Sequence, residues 1–156
     1  MKAEYINPFI FEFQRIFESV TGISLTLTKT FKRDRLSPSQ SVNIELEVVG
    51  EVNGNISMQC NQETAKRIVS SMMGGMTISE LDEIAQSAIA ELGNMITGRA
   101  SCIIANSGKS VDITPPKVYL NAEMRYAYND DRPTLAFLFT TGDQNIELNI
   151  SINDAA

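Results

Sequence analysis

The sequence predicts a chain built from separate helices and antiparallel strands, a pattern compatible with the α+β class. Two observations carry this. Apolar residues recur at helical spacing in three stretches. Elsewhere they alternate with polar residues, in pairs of stretches joined through Gly-containing turns, as hairpins do. Length agrees: 156 residues suit one domain spanning 1–156, and a domain of about 150 residues buries roughly 70% of its unfolded surface. Apolar residues make up 43% and charged residues 21%, a globular balance and not a disordered one.

Asn7-Pro8 reads as the first helix start, because Asn caps and Pro is tolerated at the first helical position. Phe9, Ile10, Phe13, Ile16, Phe17 and Val20 follow at helical spacing, and Gly22 ends the helix. Ile23, Leu25 and Leu27 alternate as a strand. Lys32 to Gln40 reads as a loop, with Lys32, Arg33 and Arg35 beside Ser37-Pro38-Ser39. Val42, Ile44, Leu46 and Val48, then Ile56 and Met58, form a hairpin turning near Glu51 to Gly54. Glu63 to Met73 is a second helix closed by Gly74-Gly75. Ser79 caps a long third helix, with Asp82 in a capping-box position. Val111 and Ile113 precede Pro115-Pro116, and Val118 to Tyr128 follows as β structure. Leu135, Phe137 and Phe139, then Ile146, Leu148, Ile150 and Ile152, make a second hairpin of central strands. Asn-Ile-Glu-Leu occurs in both hairpins, at Asn43 to Leu46 and Asn145 to Leu148, from internal duplication or from chance.

Composition excludes several chemistries. There are 13 Lys and Arg against 19 Asp and Glu, a net charge of −6, and no His. The acidic balance argues against nucleic acid or an anionic membrane as partner. The basic loop has no interleaved aromatic residues with which to stack bases. Without His there is no Ser/His or Cys/His nucleophile pair and no His-containing zinc site. Cys60 and Cys102 sit in no Cys-x-x-Cys pattern and read as two buried thiols in a reducing cytoplasm. The opening residues lack a signal-peptide layout, and no apolar run approaches the roughly 18 residues of a membrane span. A soluble cytoplasmic protein is expected. No phosphate-binding glycine loop and no metal-ligand cluster occurs. Asp130-Asp131 reads as a solvated turn, and nothing in the sequence pairs Asp112 with Glu123.

One constellation stands apart. On the long helix Leu81, Ile84, Ala85, Ala88, Leu92, Met95 and Ile96 are expected to form the apolar face. Ser87, Glu91, Asn94 and Gly98 form a separate stripe about 60° wide. A carboxylate and a carboxamide thus project together, one turn apart, among Ala90, Gly93 and Thr97. A helix-interior Gly costs about 1 kcal/mol relative to Ala. Gly93 and Gly98 therefore suggest close approach by the domain's own sheet or by a partner. An isolated Glu-x-x-Asn is most simply a polar helix edge. The same spacing in Glu4-Tyr5-Ile6-Asn7 carries no site, since Asn7 there reads as a cap.

The longer pattern is more specific. Ser87-x3-Glu91-x2-Asn94, then Gly98-Arg99-Ala100, then Asp112-Ile113-Thr114-Pro115-Pro116, resembles the signature of the CheC/CheX/FliY family. The opening Tyr5-Ile6-Asn7-Pro8-Phe9 and the single helical Glu-x-x-Asn are most similar to its CheX branch. The resemblance implies a CheC-like α+β fold, helices on a mostly antiparallel sheet, with one long helix carrying the site. It implies hydrolysis of the aspartyl phosphate on a phosphorylated CheY-type response regulator, which would supply the phosphorylated Asp, a bound Mg²⁺ and a Lys. This chain would then bind no cofactor or metal of its own. By the same resemblance Asn94 orients the attacking water, Glu91 pairs with the regulator's Lys, and Ser87 and Gly98 support the site. Pro115 or Pro116 shapes the flanking loop. A homodimer joined through the sheets is also implied. Two other readings stay open: a non-catalytic regulator-binding or scaffold module of the same fold, and a phosphatase for a receiver domain outside chemotaxis.

Overall fold

The computed structural model describes residues 1–33, 41–121 and 132–156. The helices are α1 (Ala3–Thr21), α2 (Gln62–Met72) and α3 (Glu83–Asn106). The strands are β1 (Thr26–Arg33), β2 (Val42–Gly50), β3 (Val52–Cys60), β4 (Val111–Ile113), β5 (Lys117–Leu120), β6 (Thr134–Thr141) and β7 (Gln144–Asp154). Among the described residues they form one sheet of order β1-β6-β7-β3-β2-β4, with β5 also on β2, and every pairing is antiparallel.

Alternation decides which side of the sheet the helices cover. Ile44, Leu46, Ile56, Leu148, Ile150 and Phe139 are buried on the helix side. They meet Phe9, Phe13 and Phe17 of α1 and Ile89, Leu92 and Ile96 of α3 in one core. The rings of Phe13 and Phe139 meet at a tilt of 41°, with centroids 4.8 Å apart. The far side of the central strands is polar yet also buried, at Asn43, Glu45, Asn55, Ser57, Gln59, Glu147, Asn149 and Ser151. Arg33 ion-pairs with Glu147 at 2.7 Å. The Glu45 Oε1 atom has no hydrogen-bond partner. Burial pushes its carboxyl up to about 7, against a smaller opposing pull from Lys117.

Several boundaries differ from the sequence expectation. The first helix begins at Ala3, so Pro8 lies inside it and Asn7 is no cap. Burial of Tyr5 and Ile6 outweighs the hydrogen bond Pro8 cannot donate to the Glu4 carbonyl. The first turn is tethered, since the Tyr5 hydroxyl donates to Asp154 and Lys2 pairs with it at 2.6 Å. Those two partners hold the Asp154 carboxyl down at about 2. Ile23 and Leu25 precede β1, and Lys32 and Arg33 end that strand instead of opening a loop. The rest of that loop, with Arg35 and Ser37-Pro38-Ser39, lies outside the described residues. The first hairpin turns at Glu51, and Asn53-Gly54 belongs to β3. A Cβ on Gly54 would sit 1.9 Å from the Ser151 carbonyl oxygen, so close packing against β7 selects this glycine. The second helix follows expectation, with the Asn61 side chain accepting from Thr64 N–H. Ser79 is not the α3 cap: Asp82 is, its carboxylate accepting from Ala85 N–H at 2.9 Å. Cys60 is buried, which pushes its thiol up to about 12, but Cys102 is exposed on the outer side of α3. Of the Val118 to Tyr128 stretch, β5 ends at Leu120. Residues 122–131, with Glu123 and Asp130-Asp131, lie outside the described set. No helix among the described residues is long and apolar enough to cross a membrane.

Candidate active site

The buried arc of α3 is rotated from the one the hydrophobic pattern predicts. It runs through Ala85, Ile89, Leu92, Gly93, Ile96, Thr97, Ala100, Ser101 and Ile104. Ile84 and Met95, expected inside, are 68% and 37% exposed, Ala88 is half-buried and Leu81 precedes the helix. The helix packs against α1 and β2 at once, and at Gly93 it lies too close to β2 to admit a side chain. A Cβ there would lie 2.8 Å from Ile44 Cγ2. Gly, Thr and Ser carry little hydrophobic weight, so the pattern could not mark them as inner residues.

With that arc inside, the predicted polar stripe faces outward. Ser87 and Glu91 are exposed, and Asn94 and Gly98 are half-buried. Asn94 stands one turn beyond Glu91 on the same side. Among the described residues no hydrogen bond or ion pair engages the Ser87 hydroxyl, the Glu91 carboxylate or the Asn94 carboxamide. Among the described residues the site thus presents unengaged donors and acceptors on one helix, flanked by the exposed apolar Ile84 and Met95.

The proline segment forms the neighbouring wall. β4 and β5 are two short pieces along one edge of β2, pairing Val48 with Ile113 and Glu45 with Lys117. Between them the register slips by one residue, at Thr114 to Pro116. Prolines cannot donate to a ladder and are tolerated on such an edge. Thr114 fastens the break: its N–H donates to the Glu47 carbonyl at 3.0 Å and its hydroxyl accepts from Glu47 N–H at 2.9 Å. In the sequence this role shows only as a hydroxyl residue directly before two prolines. Ile113 projects to Gly98, whose added Cβ would be 3.7 Å from Ile113 Cδ1. Pro116 is half-buried and Pro115 exposed. By alternation from Val118, Pro116 takes the helix-facing side. Asp112 is exposed and accepts from Ile113 N–H at 2.8 Å.

No group of three or more Cys, Asp or Glu residues placed to hold a metal occurs among the described residues. The arrangement can therefore offer a partner one carboxylate and one neutral carboxamide, each able to hydrogen-bond.

Comparison with known proteins identifies the family and the fold. The family model for chemotaxis phosphatase CheX matches residues 42–140. The CheY-P phosphatase CheX of Thermotoga maritima is 34% identical over 125 residues, covering 80% of this chain and 81% of the relative. A CheC-like superfamily protein from Shewanella sp. PV-4 superposes with a TM-score of 0.85 at 22% identity, over 98% of this chain and 99% of that one. A CheX–CheY–BeF3–Mg²⁺ complex from Borrelia burgdorferi gives 0.78 at 22% identity, over 96% and 98%. The α+β arrangement is thus the CheC-like fold.

Proposed function

The chain belongs to the CheX family of chemotaxis phosphatases, and from that premise we propose that it hydrolyses the aspartyl phosphate of a phosphorylated CheY-type response regulator. Water attacks phosphorus, the bond to the aspartyl oxygen breaks, and carboxylate and inorganic phosphate leave. Phosphoryl transfer mostly requires positioning and charge stabilisation. The Asn94 carboxamide suits this: its oxygen accepts from the attacking water, and it brings no negative charge towards the phosphoryl oxygens. Glu91 pairs with the regulator's Lys and sets the docking register. Ser87 and Gly98 leave room beside them, and Pro116, backed by Thr114, shapes the flanking wall. Mg²⁺ belongs to the regulator in this reading, where it neutralises charge on the phosphoryl group.

The observation that carries the proposal is the outward Glu91/Asn94 pair, unengaged among the described residues and held on a helix buried along its other side. A homodimer in the cytoplasm completes the reading. Edge strand β1, exposed from Thr26 to Thr30, is available for sheet pairing. The test is the lifetime of a phosphorylated CheY-type regulator with Mg²⁺, with and without this protein. Wild type shortens it, Asn94→Ala loses about 100-fold in rate, and Glu91→Ala loses mainly affinity. If wild type and Asn94→Ala both bind and neither shortens the lifetime, the fold serves as a docking module instead.

A further inference from the structure

We infer that the cleft between the α2–α3 connection and the first turn of α3 receives an apolar side chain of the same regulator, flanked there by that regulator's basic residues. The inference rests on the phosphatase reading and adds a second contact to it.

The cleft has a volume of about 200 Å³ and is walled by Met76 and Ile84, with Met73, Ile78 and Ala85 beneath. Met76 is 63% exposed and Ile84 68% exposed, the two most exposed large apolar side chains described. Removing an aliphatic side chain of that size from water stabilises a contact by about 1.5–3 kcal/mol. Methionine adapts its shape to a partner, which suits a protein surface more than a fixed small ligand.

Three features say what covers it. Ile84 lies two helical turns before Glu91 on the same outward side, about 10 Å away along the axis. A globular partner that reaches Glu91 and Asn94 therefore spans the cleft as well. Second, Glu80 and the capping Asp82 stand on its rim and Glu83 follows, all three exposed. With Glu91 they make one acidic edge, complementary to a partner carrying Lys or Arg around its apolar contact. Third, the cleft is continuous in sequence and space with the catalytic helix, since α3 supplies both Ile84 and Asn94.

The test measures steady-state dephosphorylation and, separately, binding to the Mg²⁺–beryllofluoride form of the regulator. Ile84→Ser and Met76→Ser each raise KM and Kd about tenfold, with kcat within twofold of wild type. Phe11→Ser, a control at a 59% exposed apolar residue on α1, changes neither. Glu80→Gln with Glu83→Gln weakens the salt dependence of binding. Melting temperatures confirm that these exposed changes leave the fold intact. Unchanged KM and Kd for Ile84→Ser and Met76→Ser, with wild type active, overturn the cleft contact alone. An equal loss for Phe11→Ser also overturns it. A wild-type protein that neither binds nor dephosphorylates the regulator overturns the phosphatase reading and this contact together.

Discussion

Gly93 and Gly98 sit five residues apart on one helix, and in the sequence they pose the same question. Each costs the helix about 1 kcal/mol relative to Ala. The structure answers for one of them. Gly93 is buried where α3 crosses β2, and an added Cβ would meet Ile44 Cγ2 at 2.8 Å. Gly98 has no such neighbour, since its nearest contact, Ile113 Cδ1 at 3.7 Å, is an ordinary van der Waals distance. The inner side of α3 is shaped by the sheet. Beside Gly98 the described residues leave room, with only Ile113 at contact distance, and that room suits a partner.

The largest effect should come from emptying the inner side. Ile96→Ala removes a fully buried side chain and should cost about 2–5 kcal/mol. The chain that remains folded should keep its rate per molecule. Asn94→Ala should do the reverse, changing stability by no more than about 0.5 kcal/mol while losing most of the activity. Denaturant melts of both variants beside their rates check this. A large stability loss for Asn94→Ala would return that residue to a structural role and collapse the distinction between the two sides.

Glu45 tests whether a carboxylate with an unpartnered oxygen is functional for that reason alone. Unlike Glu91 it is 5% exposed, on the far side of the sheet. Its folded value of about 7 lies above the ordinary 4.5. As pH rises from 4.5 to 7 the unfolded chain gives up a proton that the folded chain retains, so stability falls. The loss is complete above 7 and is on the order of 3 kcal/mol. Melts at pH 5 and pH 8 should therefore differ in that direction. Glu45→Gln should flatten the profile without touching phosphatase activity. A pH-independent melt would mean the carboxylate is compensated where it lies.

Much of this was legible in the sequence, for identifiable reasons. Strict alternation in β2, β6 and β7 placed the core side of the sheet, because a strand has only two sides. The Ser87/Glu91/Asn94/Gly98 stripe was legible because helical spacing alone sets it. The buried arc of α3 was not, because it includes Gly93, Thr97 and Ser101, which carry little hydrophobic weight. The start of α1 was missed because Pro8 announced a beginning that Tyr5 and Ile6 overrode by packing. The wall beside Gly98 needed the third dimension, since only the β2 edge brings Ile113 and Thr114 to α3.

The smallest effects are also the most discriminating. Gly93→Ala gains about 1 kcal/mol of helix propensity but overpacks against the branched Ile44 at a cost of about 1–3 kcal/mol. A net loss of roughly 1 kcal/mol follows, or about 2–4 °C in Tm. Gly98→Ala carries the same propensity gain with no clash, so it should raise Tm by a similar amount. If the regulator approaches the helix backbone beside Asn94, the added methyl lies in its path, and turnover should fall while stability rises. Opposite signs of that kind mark a residue kept for function at the expense of stability. A Gly98→Ala protein both more stable and fully active would show that the partner keeps its distance there. The close approach on α3 would then belong to Gly93 and the sheet alone.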